Sequence, residues 1–234
     1  MGHDASIVGW PWVAGTHSWV EPTAMAMLAL AREGFADHPR TREGVRLLLD
    51  RAIPTGGWNL GNPIVFGTPL RPLPGPTGLA LLALARLGAS SKVVDQALAY
   101  LRSALAGTLA PISLGWGLLG LRAWGACPVE AEKWLASAFE KVAAREPRTV
   151  ELAMLLLAAG PRSLELLGAA GPSASPLPLG EGPGVRGVVS PTAEGKGSRA
   201  VHSTFHTPHP GPLPEGEGGR VSLRSAIKEA TRHA

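Results

Sequence analysis

Pro76-Thr77-Gly78-Leu79-Ala80-Leu81-Leu82-Ala83-Leu84-Ala85-Arg86-Leu87-Gly88 decides the fold. From Leu79 to Ala85 every side chain is apolar. A helix with no polar stripe belongs inside a protein. Pro76 suits the first helical turn, where its missing N–H costs nothing. Gly88 suits the position just past the helix end. The pattern recurs. Pro22-Thr23 leads through Ala24–Ala31 to Arg32-Glu33-Gly34, and Ser113-Leu114 leads to Arg122-Ala123-Trp124-Gly125. A fainter copy runs from Thr149 to Gly160. Recurrence at this scale is the mark of a repeat architecture.

Amphipathic segments alternate with these buried ones. Val93, Val94, Ala97, Leu98, Leu101 and Leu105 keep the helical period, with Lys92, Asp95, Gln96 and Arg102 elsewhere on the wheel. Trp134, Leu135, Ala138, Phe139 and Val142 do the same opposite Glu132, Lys133, Glu140 and Lys141. Residues 40–52 and 162–170 are weaker versions. The predicted unit is therefore a hairpin of a buried inner helix and an amphipathic outer helix. About four such hairpins over residues 1–171 would stack side by side and share a continuous core. No stretch alternates with period two, so no substantial sheet is expected. The predicted class is all-α: α/α hairpin repeats forming an incomplete (α/α) toroid or solenoid arc.

Composition changes after residue 171. Pro, Gly and Ser replace the Leu/Ala periodicity over 172–220, and such a stretch is predicted to be disordered. Residues 221–234 are predicted as a short C-terminal helix with a stripe of Val221, Leu223, Ile227 and Ala230. Within the low-complexity stretch, Pro176-Leu177-Pro178-Leu179-Gly180-Glu181-Gly182 and Pro212-Leu213-Pro214-Glu215-Gly216-Glu217-Gly218 can be encoded by reverse-complementary codons. That relation suggests a translated palindromic insertion over roughly 174–220. The rival reading is a Pro-rich recognition linker.

The chain has 234 residues, 45% hydrophobic and 17% charged, with a formal charge of +4. Lys and Arg are scattered, so no nucleic-acid partner is expected. One cysteine, Cys127, excludes an internal disulfide framework and a cysteine-rich zinc site. No uncharged apolar run reaches the roughly 18 residues of a membrane span, and Met1-Gly2-His3-Asp4 is not a secretory signal. The expected location is cytoplasmic.

The turns narrow the reading. Gly9-Trp10-Pro11-Trp12 and then Gly15-Thr16-His17-Ser18-Trp19-Val20-Glu21 precede the first inner helix. The first outer helix, Leu47-Leu48-Leu49-Asp50-Arg51, runs into Pro54-Thr55-Gly56-Gly57-Trp58-Asn59. Over roughly residues 8–160 these hairpins and Gly-Trp turns resemble the repeats of the prenyltransferase and squalene cyclase superfamily. The resemblance implies an (α/α)6 toroid around an apolar cavity. It also implies a Gln closing the outer helix and an Asp in the turn, where this chain has Ala52 and Thr55.

The chemistry implied by the family does not map onto this chain. Class II cyclases protonate an alkene from an Asp-x-Asp-Asp motif, which needs an unusually strong acid. Here Asp4, Asp37, Asp50 and Asp95 stand far apart, and the motif is missing. A zinc set of Asp, Cys and His is not spelled around Cys127. No cofactor and no metal site are expected. The primary expectation is a non-catalytic fragment or interaction module of a longer repeat array. The alternative is a terpene-cyclase-type enzyme or lipid binder, holding a polyprenyl or triterpene ligand. Self-association could complete the ring.

Five residues are the candidate ligand contacts. His17, Trp19 and Glu21 lie where segments entering an inner helix would face a cavity mouth. Trp58 and Trp116 could line an apolar or cation-stabilising chamber. Each has a local counterpart: Glu21 serving the helix N-terminus, His17 sitting in a turn, and the tryptophans packing between helices.

Overall fold

Residues Gly75–Leu84 are buried without interruption, which follows from the absence of a polar face in that segment. In the computed structural model they form most of α3, Pro74–Arg86. The structure describes residues 2–108, 110–144 and 148–168, and these fall in one unit of the chain. The expected low-complexity segment over 172–220 and the helix over 221–234 lie outside the described residues.

The described residues are mostly helical. In order come α1 (Val20–Arg32), α2 (Pro39–Asp50), a minimal hairpin of β1 (Ile64–Val65) and β2 (Thr68–Pro69), α3, and α4 (Lys92–Ala104). A short 3-10 turn, Leu105–Gly107, follows α4. Then come α5 (Pro111–Ala123), α6 (Ala131–Ala143), α7 (Thr149–Ala159) and α8 (Ser163–Leu166). The strands pair antiparallel, Ile64 with Pro69 and Val65 with Thr68.

The inner helices α1, α3, α5 and α7 pack in sequence, and α2, α4 and α6 pack on their own inner partners. The inner helices run parallel. Gly75 lies against Ser113 near the starts of α3 and α5. Toward their ends Trp124 Nε1 donates to Leu81 O at 2.9 Å. Gly115 meets Met154, and Arg122 Nη1 donates to Gly160 O at 3.1 Å, which fixes α7 parallel to α5.

Helix α5 explains its own glycines. A Gly inside a helix costs about 1 kcal/mol relative to Ala. Here each one brings a different neighbour close: Gly115 admits Met154, Gly117 admits Leu105, and Gly120 lies against the Gly78 backbone. A Cβ at Gly120 would sit 2.5 Å from Gly78 O. The two inner helices therefore meet backbone to backbone. Beyond the inner helices, Gly34, Gly88 and Gly125 have φ of +86°, +64° and +65°, the left-handed conformation expected at the position after a helix end. The fourth copy differs. Gly160 has φ −65° and ψ 137°, so α7 ends in extended backbone.

The segment after α7 also departs from the repeat. Instead of an outer helix over 162–170, α8 is one turn long, with Ser163 and Leu164 buried. It packs on α5 and α7. Arg32 Nη1, at the end of α1, donates to Leu166 O at 2.8 Å. The last described element thus reaches the first inner helix.

Candidate functional site

The turns before α1 and α3 interlock, and their polar contacts explain the Gly-Trp and Pro-Thr repeats. Trp58 N–H donates to Thr77 Oγ1 at 2.9 Å, and that hydroxyl donates to Trp58 O at 3.0 Å. One residue type thus satisfies both backbone groups of a buried turn. The first repeat copies the arrangement: Trp10 N–H donates to Thr23 Oγ1 at 2.9 Å, and Thr23 Oγ1 donates to Trp10 O at 3.4 Å. Each preceding glycine, Gly9 and Gly57, leaves room for the hydroxyl. Thr23 and Thr77 are fully buried.

A buried cation ties the loops together. Arg51 is 5% exposed. Its Nε pairs with Asp50 Oδ2 at 3.2 Å, and Nη1 donates to Gly61 O at 3.1 Å. The Asp50 carboxylate in turn accepts the Asp4 N–H at 3.1 and 3.2 Å. The Asp4 carboxylate accepts the hydroxyl and N–H of Ser6, which hold its carboxyl below the usual range. Burial, and then the Arg51 charge, push His3 below the ordinary histidine range. Asn59 shapes the long turn: Nδ2 donates to Asn62 O at 2.8 Å, and Oδ1 accepts Gly61 N–H at 2.9 Å.

Two recesses flank Trp19. The larger, about 380 Å³, is walled by Ile7, Val8 and Trp19, with His3, His17 and Arg51 among its polar members. The other, about 340 Å³, is walled by Trp19, Leu60, Leu70 and Leu73. Trp19 and Asn62 belong to both. These volumes stand at the lower end of the roughly 300–1,000 Å³ typical of small-molecule pockets. The arrangement provides apolar walls with a hydrogen-bonding rim. Ser18 Oγ already accepts the Gly9 N–H at 2.9 Å, so its oxygen serves the turn.

The five candidate contacts separate. His17 and Trp19 share the larger recess. Glu21 is half-buried in the first turn of α1, outside both linings. Burial raises its carboxyl above the ordinary glutamate value. Trp58 is completely buried, and its Nε1–H donates to Leu48 O at 2.6 Å. It packs inner turn against outer helix and lines neither recess. Trp116 is half-buried within α5, where its backbone faces Gly78 of α3. The residues that reading by type did not single out are Thr23, Thr77 and Arg51. The Pro-Thr recurrence was the available signal for the threonines; nothing in the local sequence marks Arg51 as buried.

Among the described residues no three His, Cys, Asp or Glu side chains gather as a metal site, and no helix is long and apolar enough to cross a membrane. Compared with family models, curated proteins and solved structures, the chain matches none.

Proposed function

We propose that the chain is a helical-hairpin repeat module of the prenyltransferase and squalene cyclase kind, an arc of such a toroid that works by binding and not by turnover. The observation that carries this reading is the contact of α3 with α5. Gly78, Trp116 and Gly120 put the two inner-helix backbones against each other, and α3 is buried over Gly75–Leu84. Inner helices that lined a substrate chamber would keep side chains facing open space; here α3 spends its surface on its neighbours. Exposed apolar side chains on the first and last inner helices, Met25 on α1 and Val150 and Leu156 on α7, suit a module that associates with a partner or a second copy.

The second reading is a binder of an isoprenoid or other apolar ligand. It is favoured by the recess that His17 and Trp19 share. One experiment weighs both. The full chain is melted by circular dichroism with and without a panel of polyprenyl and triterpene lipids, and product formation from squalene and farnesyl diphosphate is measured in parallel. Binding to the native state alone raises the melting temperature. A cooperative melt that no lipid moves is the result expected of an interaction module, and one raised by a single lipid supports the second reading. Product above a protein-free control would overturn the non-catalytic reading.

A further inference from the structure

The larger recess, of about 380 Å³, has polar groups in its wall that the protein uses only in part. Thr16 and Ser18 both line it. Thr16 Oγ1 donates to Val13 O at 2.7 Å, which leaves its lone pairs to accept. Ser18 Oγ accepts the Gly9 N–H at 2.9 Å, which leaves its own O–H to donate. The segment that leads into α1 thus offers an acceptor and a donor beside the apolar surfaces of Ile7, Val8 and Trp19. Apolar walls with a few polar groups are the usual composition of a small-molecule site.

Charge selects among the ligands such a wall can hold. Arg51 reaches the recess, but its guanidinium is already engaged. Nε pairs with Asp50 Oδ2 at 3.2 Å, Nη1 donates to Gly61 O at 3.1 Å, and Nη2 donates to Asp4 O at 3.4 Å. The carboxylates of Asp50 and Asp4 both stand near that cation, and neither is in the wall of the recess. His3, which is in the wall, is held below the ordinary histidine range by burial and then by the Arg51 charge, so its ring is neutral at neutral pH. A bound carboxylate would find two carboxylates nearby and a cation that is already paired. A bound ammonium would face Arg51 with no carboxylate in the wall to receive it. Burying an ion without a partner is costly. A hydroxyl avoids both costs, because it can donate to Thr16 or accept from Ser18 without carrying charge.

We propose that this recess binds a small uncharged amphiphile, an alcohol on a short hydrocarbon chain, with the chain against Ile7, Val8 and Trp19 and the hydroxyl at Thr16 and Ser18. Such a ligand presupposes the second functional reading and gives it a narrower chemistry: a neutral head, and no diphosphate or carboxylate.

The test is isothermal titration of the full chain at neutral pH with n-octanol, octanoate and octylammonium, which share one chain length and differ in charge. Octanol is expected to bind about tenfold tighter, or more, than either ion. Val8→Trp, at a position 51% exposed, and Ala5→Leu, also at an exposed position, fill the recess from its wall without removing a buried side chain. Each should melt within a few degrees of wild type and bind octanol about tenfold more weakly or worse. Octanoate or octylammonium binding as tightly as octanol would overturn the neutral ligand. Octanol that binds both variants as it binds wild type would overturn the site. Absence of octanol binding to wild type would overturn the proposal too. In that case a polyprenyl lipid that still raises the melting temperature leaves the ligand-binding reading standing, whereas no effect of any lipid removes both.

Discussion

The Thr77 hydroxyl accepts the Trp58 N–H and donates to the Trp58 carbonyl, at 2.9 and 3.0 Å, with both residues fully buried. Thr77 belongs to α3, and Trp58 to the turn leading into it. The pair therefore sets how the outer helix of one hairpin hands the chain to the next inner helix. Thr77→Val keeps the shape and removes the hydroxyl, leaving two buried backbone groups unpaired. The expected loss is about 1–3 kcal/mol in urea unfolding, with Thr77→Ser close to wild type. A Thr77→Val protein as stable as wild type would show that the clasp carries no stability.

Helix packing through glycine gives the next expectation. Gly120→Ala puts a methyl 2.5 Å from Gly78 O, and backbone is the neighbour least able to yield. Overpacking of this kind costs roughly 1–3 kcal/mol or more. Gly107→Ala meets nothing within 4 Å and should change stability by less than about 1 kcal/mol. Thermal melts of the two variants measured side by side check the contrast.

Glu21 makes a pH prediction. Burial raises its folded-state pKa, so the native protein resists the charged form. The destabilisation is absent below the unfolded pKa, sets in as pH rises through it, and is complete above the folded pKa. Glu21→Gln should therefore be more stable than wild type at neutral pH, and the advantage should vanish on acidification. An advantage that persists at low pH would point to packing and not to charge.

Arg32 gives a local prediction. Its guanidinium holds Leu166 O at 2.8 Å from an exposed position, so Arg32→Met should cost at most about 1 kcal/mol overall. Hydrogen exchange of the Leu166 and Leu167 amides should nonetheless accelerate, because α8 is a single turn with little else to retain it. Unchanged exchange would mean that Leu164 burial alone fixes α8.

Much of the helical framework was legible because burial leaves a periodic trace. The all-apolar run Leu79–Ala85 announced an inner helix, and Val94, Ala97 and Leu101 announced the buried face of α4. The Arg closing α1, α3 and α5 was visible as a repeat, though its role was not. Arg86 donates to Ala31 O, Arg122 to Gly160 O and Arg32 to Leu166 O, partners distant in sequence that no local pattern names. The site was less legible. Trp58 and Trp19 look alike as letters in turns, yet one ring is sealed by Leu48 O and the other walls two recesses. Phe66 went unmarked because the long turn around Trp58 to Arg71 carries no periodic pattern, and only its positive φ sets the residue apart. The end of α7 misled for a related reason: a closing Gly permits the left-handed conformation without requiring it.

The contact between Arg32 and Leu166 also orders events in time. During synthesis α1 is among the first helices to emerge, yet the carbonyl that its Arg32 side chain holds lies 134 residues later. Closing a loop of that length gains little until the intervening hairpins have shortened it, and contacts of long sequence separation slow folding. This one contact of the first helix therefore cannot form until the chain has grown as far as α8.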